Sequence, residues 1–410
     1  MADDGQDATE LTNPVHRTLS DVMEAARPRT DGEVARYIPE LADVDPDQLG
    51  IALVSARGTV HEAGDSRAEF TIQSVSKPFV FALALDAIGL DEVTRHVGLE
   101  PSGEPFNAIS LEASGRPDNP MINAGAIVAS SLIPGRSTAE KFDVIRKGLS
   151  RFAARGLHLD ESVYASEAET GDRNRALAYL THSAGTLAAS VDVATDTYFR
   201  QCSLAVTARD LAIMAATLAT GGVNPVTRER VISEDAARWT SAMMTSCGMY
   251  DSSGEWLLKV GLPAKSGVGG GIVALQPEQF GVGTFSPRLD ERGNSVRGIA
   301  MLETLSTRYG LHLLAGRGTA LSPIGALDAE DGTTIARLRG DIRFAGMEEV
   351  LTRLLPLVHD DGCLVFDFSG VTRVAPGAGR FFRTVVDVAG TNPDGRARVE
   401  IRDPDGVLGA

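Results

Sequence analysis

The sequence is short of cysteine, of basic charge and of long apolar runs, and each shortage excludes something. Its three cysteines, Cys202, Cys247 and Cys363, share no motif spacing, and no CxxC or paired His/Cys cluster is present. No disulfide framework and no metal site are therefore expected. Each thiol reads as a small buried hydrophobe, and a reducing compartment fits. Aspartate and glutamate number 55 against 39 lysines and arginines, a formal net charge of −16. Nucleic acid demands a basic footprint, so none is expected as a partner. The longest apolar stretches, such as Phe79–Leu85, fall far below the roughly 18–20 residues of a bilayer span, and no membrane association is expected. Met1 to Thr12 is acidic and polar, with neither the basic segment nor the apolar stretch of an export signal. The corresponding expectation is a cytoplasmic protein.

What is present is the texture of an α+β fold. Ile51–Ser55 and Thr59–Glu62 read as short strands around Arg57-Gly58, a hairpin. Helical signals then dominate. Ser137-Thr-Ala-Glu140 and Thr207-Ala-Arg-Asp210 have the form of capping boxes, and the second opens an apolar helix that Gly221-Gly222 would end. Strand character returns at Gly271–Leu275 and Phe280–Phe285, followed by a helix at Val296–Tyr309. The economical fold is an antiparallel sheet built from both ends, with a helical subdomain inserted between. Residues 316–332, rich in Gly, Ala, Ser, Asp and Pro, read as a linker. Beyond it, strands at Thr334–Leu338, Cys363–Phe368 and Ala397–Ile401 alternate with helices at Phe344–Val358 and Phe381–Val388, a small α/β module. The expected domains are 11–321 and 331–405.

Chemistry enters at Gln73-Ser74-Val75-Ser76-Lys77-Pro78, an S-x-x-K motif. Residues three apart share a helix face about 5–6 Å apart at Cβ, so Lys77 can reach the Ser74 hydroxyl. An adjacent base is what makes a serine alcohol a nucleophile. Pro78 suits a helix first turn, which puts Ser74 at the N-terminus, where free N–H groups favour negative charge. A capping serine before a surface lysine would explain that motif alone. The later Lys265-Ser266-Gly267, followed by Val268-Gly-Gly-Gly271 and a strand, supplies the partner. S-x-x-K with a following K-[ST]-G is the pair used by penicillin-recognising serine acyltransferases.

Seven blocks in order then resemble the bacterial glutaminase family, which has a serine β-lactamase-like fold. They are Ala35–Leu41, Gln73–Pro78, Asn119–Ala126, Ser166-Glu167 with Gly171–Ala178, Tyr198–Ser203, Cys247–Asp251 and Lys265–Gly271, covering about Leu11 to Leu321. The resemblance implies L-glutamine as substrate, no cofactor, Ser74 as nucleophile and Lys77 as base. It also implies substrate contacts from Tyr37, Asn123, Glu167, Asn174, Tyr198, Tyr250, Ser266 and Val268. Glu167 would pair with the substrate's α-ammonium, and Asn123, Asn174 and the tyrosine hydroxyls would donate to its α-carboxylate. The N–H groups of Ser74 and Val268 would form an oxyanion hole, and Tyr198 or Tyr250 would relay a proton to the leaving ammonia. Lys77 must be neutral to act, which desolvation or the neighbouring Lys265 would achieve. None of the seven histidines is a catalytic candidate, and His182 reads as structural. A homodimer or homotetramer is implied by the family only.

Cys363–Gly379 resembles STAS domains, with the likeness running from about Asp331 to Pro404. Where that family carries an acidic residue and a phosphoacceptor serine, this chain has Ala375-Pro-Gly377-Ala. Phosphorylation switching is thus not expected, and a role in interaction or dimerisation is preferred to small-ligand sensing. Two alternatives to a glutaminase stand: a β-lactamase or esterase using the same serine–lysine pair, and a non-catalytic scaffold working through the STAS-like module.

Overall fold

Gly58, at φ +88°, turns the chain from strand β1 (Gly50–Ser55) into β2 (Val60–Gly64). Glycine adopts that left-handed conformation without penalty, and its N–H donates to Ser55 O at 2.9 Å. The structure, a computed structural model, describes residues 14–102, 111–315, 322–330, 332–358, 362–375, 378–393 and 395–408. The expected signal-free Met1–Thr12 lies outside them. The chain divides into two units, Met1–Ala315 and Gly316–Ala410.

In the first unit, β3 (Phe70–Thr71) and β4 (Ala205–Val206) form a small antiparallel ribbon. The main sheet adds β5 (Ala264–Ser266), β6 (Gly271–Gln276) and β7 (Phe280–Phe285) in the order β2-β1-β7-β6-β5, antiparallel throughout. It is assembled from both ends of the unit, with the helices from Ser76 to Lys259 between, as the sequence implied. Alternation along the strands gives the sheet two apolar faces. Ile51, Ile272, Ala274 and Val282 meet the helices Pro14–Ala26 and Val296–Tyr309. Ala52 and Val54, with Val273, Leu275 and Phe285, turn to the opposite side, where the helix Ala208–Ala219 lies.

That helix is buried at almost every position and needs a firm start. Thr207 accepts from Asp210 N while Asp210 accepts from Thr207 N, a complete capping box, and Gly221 and Gly222 follow its end at φ +66° and +85°. The Ser137 box is only half formed. Ser137 accepts from Glu140 N, but Glu140 turns its carboxylate to Arg136 N at 2.6 Å, one residue before the cap. Gly281 and Gly283 on β7 explain how the Ala208 helix comes so close. A Cβ at Gly283 would sit 2.2 Å from Ala208 O, and one at Gly281 would sit 2.1 Å from Ala216 N.

The second unit has its own mixed sheet, β11-β10-β9-β8, made of β8 (Ile324–Glu330), β9 (Thr333–Ile342), β10 (Cys363–Val374) and β11 (Val399–Arg402). β10 runs parallel to both neighbours, whereas β8 is antiparallel to β9. Phe382, on the helix Ala378–Ala389, stands edge-on to Phe366 and Phe368 with centroids 5.3 and 5.0 Å away. Three expectations change here. Part of the supposed linker is strand β8, whose Gly, Ala and Asp content hides an edge strand. β10 continues past Phe368 to Val374, with register shifts against β9 that accommodate Ser369-Gly370. The helix from Phe344 stops at Leu354, since Pro356 has no N–H to continue it and a 3-10 turn follows. Pro376 and Gly377 of the loop compared with the STAS phosphoacceptor lie outside the described residues.

The close contact at β7 gives a stability test. Gly283→Ala should lower unfolding free energy by about 1–3 kcal/mol or more, as overpacking does, read from the urea midpoint at unchanged slope. A loss below about 0.5 kcal/mol would mean that helix and strand separate freely.

Candidate active site

Ser74 lies in a 3-10 turn, Gln73–Val75, that runs straight into the helix Ser76–Ile88. The helix is apolar on nearly every face and buried from Ser76 to Ala82, so the serine stands on a rigid support. Gln73 takes φ +47°, a left-handed conformation that costs a non-glycine residue about 1–2 kcal/mol. Gly267 lets the end of β5 close on this turn: a Cβ there would stand 2.9 Å from Val75 Cγ2 and 3.2 Å from Val75 N. Among the described residues no backbone hydrogen bond uses the N–H of Ser74 or of Val268.

Lys77 is buried, 1% exposed. Its Nζ donates to Asn123 Oδ1 at 2.6 Å and to Met121 O at 3.3 Å. Burial pushes its pKa down to about 7. Of the two causes left open by the sequence, desolvation is the one that acts on Lys77. Lys265 is driven well below the lysine range, first by burial and then by Lys77. Its Nζ donates to Ser266 O at 2.7 Å and lies 4.0 Å from the centre of the Tyr250 ring.

Tyr250 is held at φ +52° in a 3-10 turn. Its hydroxyl donates to Ser266 O at 3.1 Å and is hydrogen-bonded to the Ser74 side chain, while burial raises its pKa. Asn123 opens the helix Asn123–Leu132, and its Oδ1 faces both Lys77 and the Tyr198 hydroxyl, the latter at 3.4 Å. Its Nδ2 donates to Asn174 Oδ1 at 3.0 Å. Asn123 thus steadies the lysine, and the amide nitrogen expected for a substrate carboxylate is turned to Asn174.

Glu167 is 7% exposed, and burial raises its pKa. Its Oε1 accepts from the Tyr37 hydroxyl at 2.8 Å, and Gln73 also bonds to it. Among the described residues no cation pairs with this carboxylate. Tyr37 is 48% exposed, yet its hydroxyl reaches the buried Glu167 carboxylate. A cleft of about 650 Å³ opens beside Val268, walled by residues that include Glu33, Leu289 and Asp290. The Ser266 hydroxyl is buried without a partner among the described residues, while its carbonyl accepts from both Lys265 and Tyr250. His182 is exposed on its helix.

Of the eleven residues singled out in the sequence, hydrogen bonds join ten in three sets: Ser74, Tyr250, Ser266 and Lys265; Lys77, Asn123, Asn174 and Tyr198; and Tyr37 with Glu167, while Val268 borders the cleft. Sequence reasoning passed over Gln73, Ser76, Gln201 and Cys202. They lie inside the quoted blocks, but their types do not separate them from ordinary core residues. Cys202 sits against Tyr198 and Ser76, and burial pushes its thiol up to about 12, far from a nucleophile.

Comparison with known proteins places this geometry. A sequence model of the glutaminase family matches residues 32–314. Glutaminase 1 of Bradyrhizobium diazoefficiens is 54% identical over 75% of this chain, which spans only 50% of that relative's length. The glutaminase of Corynebacterium glutamicum is 41% identical, covering 97% of this chain and 96% of its own. The crystal structure of Mglu superposes with a TM-score of 0.88 at 42% identity, covering 96% of this chain and 99% of that one. With the family matched over most of the first unit and full-length relatives at such identity, the chain belongs to the glutaminase family.

Proposed function

We propose that this chain hydrolyses the side-chain amide of L-glutamine to L-glutamate and ammonia, through a glutamyl ester on Ser74. The carrying observation is the buried amine of Lys77, poised near neutrality one helical turn from a supported serine. Its bonds to Asn123 Oδ1 and Met121 O fix the position of the amine. Ser74 gives its proton to Lys77 as Oγ attacks the amide carbon. The oxyanion is met by the N–H groups of Ser74 and Val268, worth about 2.7–4 kcal/mol per donor in comparable enzymes. Collapse expels ammonia, protonated through a tyrosine. Tyr250 is preferred, because it bonds to Ser74 whereas the Tyr198 hydroxyl bonds to Asn123 and Cys202. Water then attacks the ester, with the protons moving in reverse.

Glu167 supplies the charge for the substrate's α-ammonium, a role supported by its burial without a protein cation. Tyr37, Asn174 and Tyr198 complete the substrate's zwitterionic end. The antiparallel sheet with an inserted helical block supports a serine β-lactamase-like assignment for the first unit, and the parallel β9-β10-β11 core supports a STAS-like one for the second. A cytoplasmic homodimer or homotetramer, with the second unit as an interaction module, completes the proposal.

Three outcomes are expected. Lys77→Ala should cut kcat by roughly 10²–10⁴-fold, the usual contribution of a general base, with the folded state retained; substantial residual turnover would remove lysine from the mechanism. Because Lys77 must lose its proton, kcat/KM should rise with pH through about 7 and flatten above; a profile level from pH 6 to 9 would contradict this. Glu167→Gln should raise KM for glutamine by roughly tenfold or more with a smaller effect on kcat. A chromogenic β-lactam offered in parallel decides against the rival, since its turnover in the absence of ammonia release from glutamine would reverse the assignment.

A further inference from the structure

Behind Ser74 runs a line of polar side chains that the chemistry above does not use. Ser76 Oγ donates to Gln73 O at 2.7 Å. With its proton so committed, Ser76 accepts from Gln201 Nε2 at 3.0 Å. Gln201 Oε1 in turn accepts from Ser130 Oγ at 2.8 Å, a proton that Ser130 can also give to Ala126 O. Ser76, Gln201 and Ser130 are all completely buried. Left unpaired, such groups would be costly, so the line holds together as a unit.

Its placement is more informative than its existence. It begins at the carbonyl of Gln73, the one residue of the Ser74 turn in the left-handed region. It passes to the helix Val191–Cys202, which carries Tyr198, and ends on the helix Asn123–Leu132, which carries Asn123. Three segments that supply Ser74 with Lys77, Tyr198 and Asn123 are thereby tied at one amide. Strained backbone persists only where its surroundings over-determine it. We propose that Gln201 is a positioning residue: acting through Ser76, it clamps the Gln73 carbonyl and so fixes the turn that aims Ser74 Oγ between Lys77 and the substrate amide. This rests on Ser74 being the nucleophile. Gln201 itself touches neither substrate nor reacting atoms.

The test uses the full chain as Gln201→Leu, Ser76→Ala and the double variant, with thermal melts to establish folding. Each single variant should lower kcat for glutamine about tenfold or more, as small misplacements of a nucleophile do, while KM stays within about threefold. Since both act through one line, the double variant should be no slower than about threefold below the slower single. A diazoketone analogue of glutamine should label Ser74 in every protein, more slowly in the variants by the same factor as kcat. Ser74 labelled at the parental rate, or losses that multiply in the double variant, would overturn the role of Gln201 while leaving the nucleophile intact. Labelling of a different residue in the parent would overturn both. Should Gln201→Leu fail to fold, a folded Ser76→Ala with kcat within about twofold of the parent suffices to reject the proposal.

Discussion

The site depends on an amine kept out of water. A lysine in solvent is protonated at neutral pH and useless as a base, so some part of the fold must make its charge unfavourable. Here the means is burial. Lys77 sits on an apolar helix in the middle of its unit, and Lys265, equally buried, stands near enough to feel it. Two such amines in one dry pocket resist sharing it as cations. The same desolvation raises the pKa of Glu167, Tyr198 and Tyr250. Charge in this site is therefore scarce, and a zwitterionic substrate would supply what the protein withholds.

Keeping that pocket closed demands close packing, and glycine provides it at the points where backbones meet. Gly281 and Gly283 bring the Ala208 helix down onto β7, and Gly267 brings the end of β5 against the Ser74 turn. Ser74 and Lys265 are 191 positions apart, from 74 to 265, and only a sheet closed from both ends of the unit joins them. Electrostatics and topology are thus one problem: the sheet that carries Lys265 toward the Ser74 turn also buries its amine.

The parts legible in the sequence were those written in local spacing. Ser74 and Lys77 are three positions apart, and the helix that carries Lys77 follows from its composition. The helix Val296–Tyr309 and the Thr207 cap were equally plain, since periodicity and a hydroxyl–carboxylate pair are short-range signals. Pairings across long separations were not legible. Tyr37 finds Glu167 over 130 residues, and Gln201 finds Ser76 over 125. Co-linear blocks bring such residues to notice together, yet the partner of each is fixed only in three dimensions. Composition also misled where a segment's neighbours outweighed its own character. Strand β8 exists because β9 offers it a ladder of hydrogen bonds, and β10 runs through Ser369-Gly370 because its flanks are already paired. Asn123 shows a subtler gap: residue type announced a polar group, but its orientation toward Lys77 came from the pocket.

The protonation state of Lys77 can be measured directly, by following its side-chain ¹³Cε and ¹⁵Nζ resonances with pH, assigned by comparison with Lys77→Ala. A midpoint near 7 is predicted, from burial alone. A midpoint close to the ordinary lysine value of about 10.4 would mean a charged amine beside Ser74 at every working pH, and the account of this site would fail.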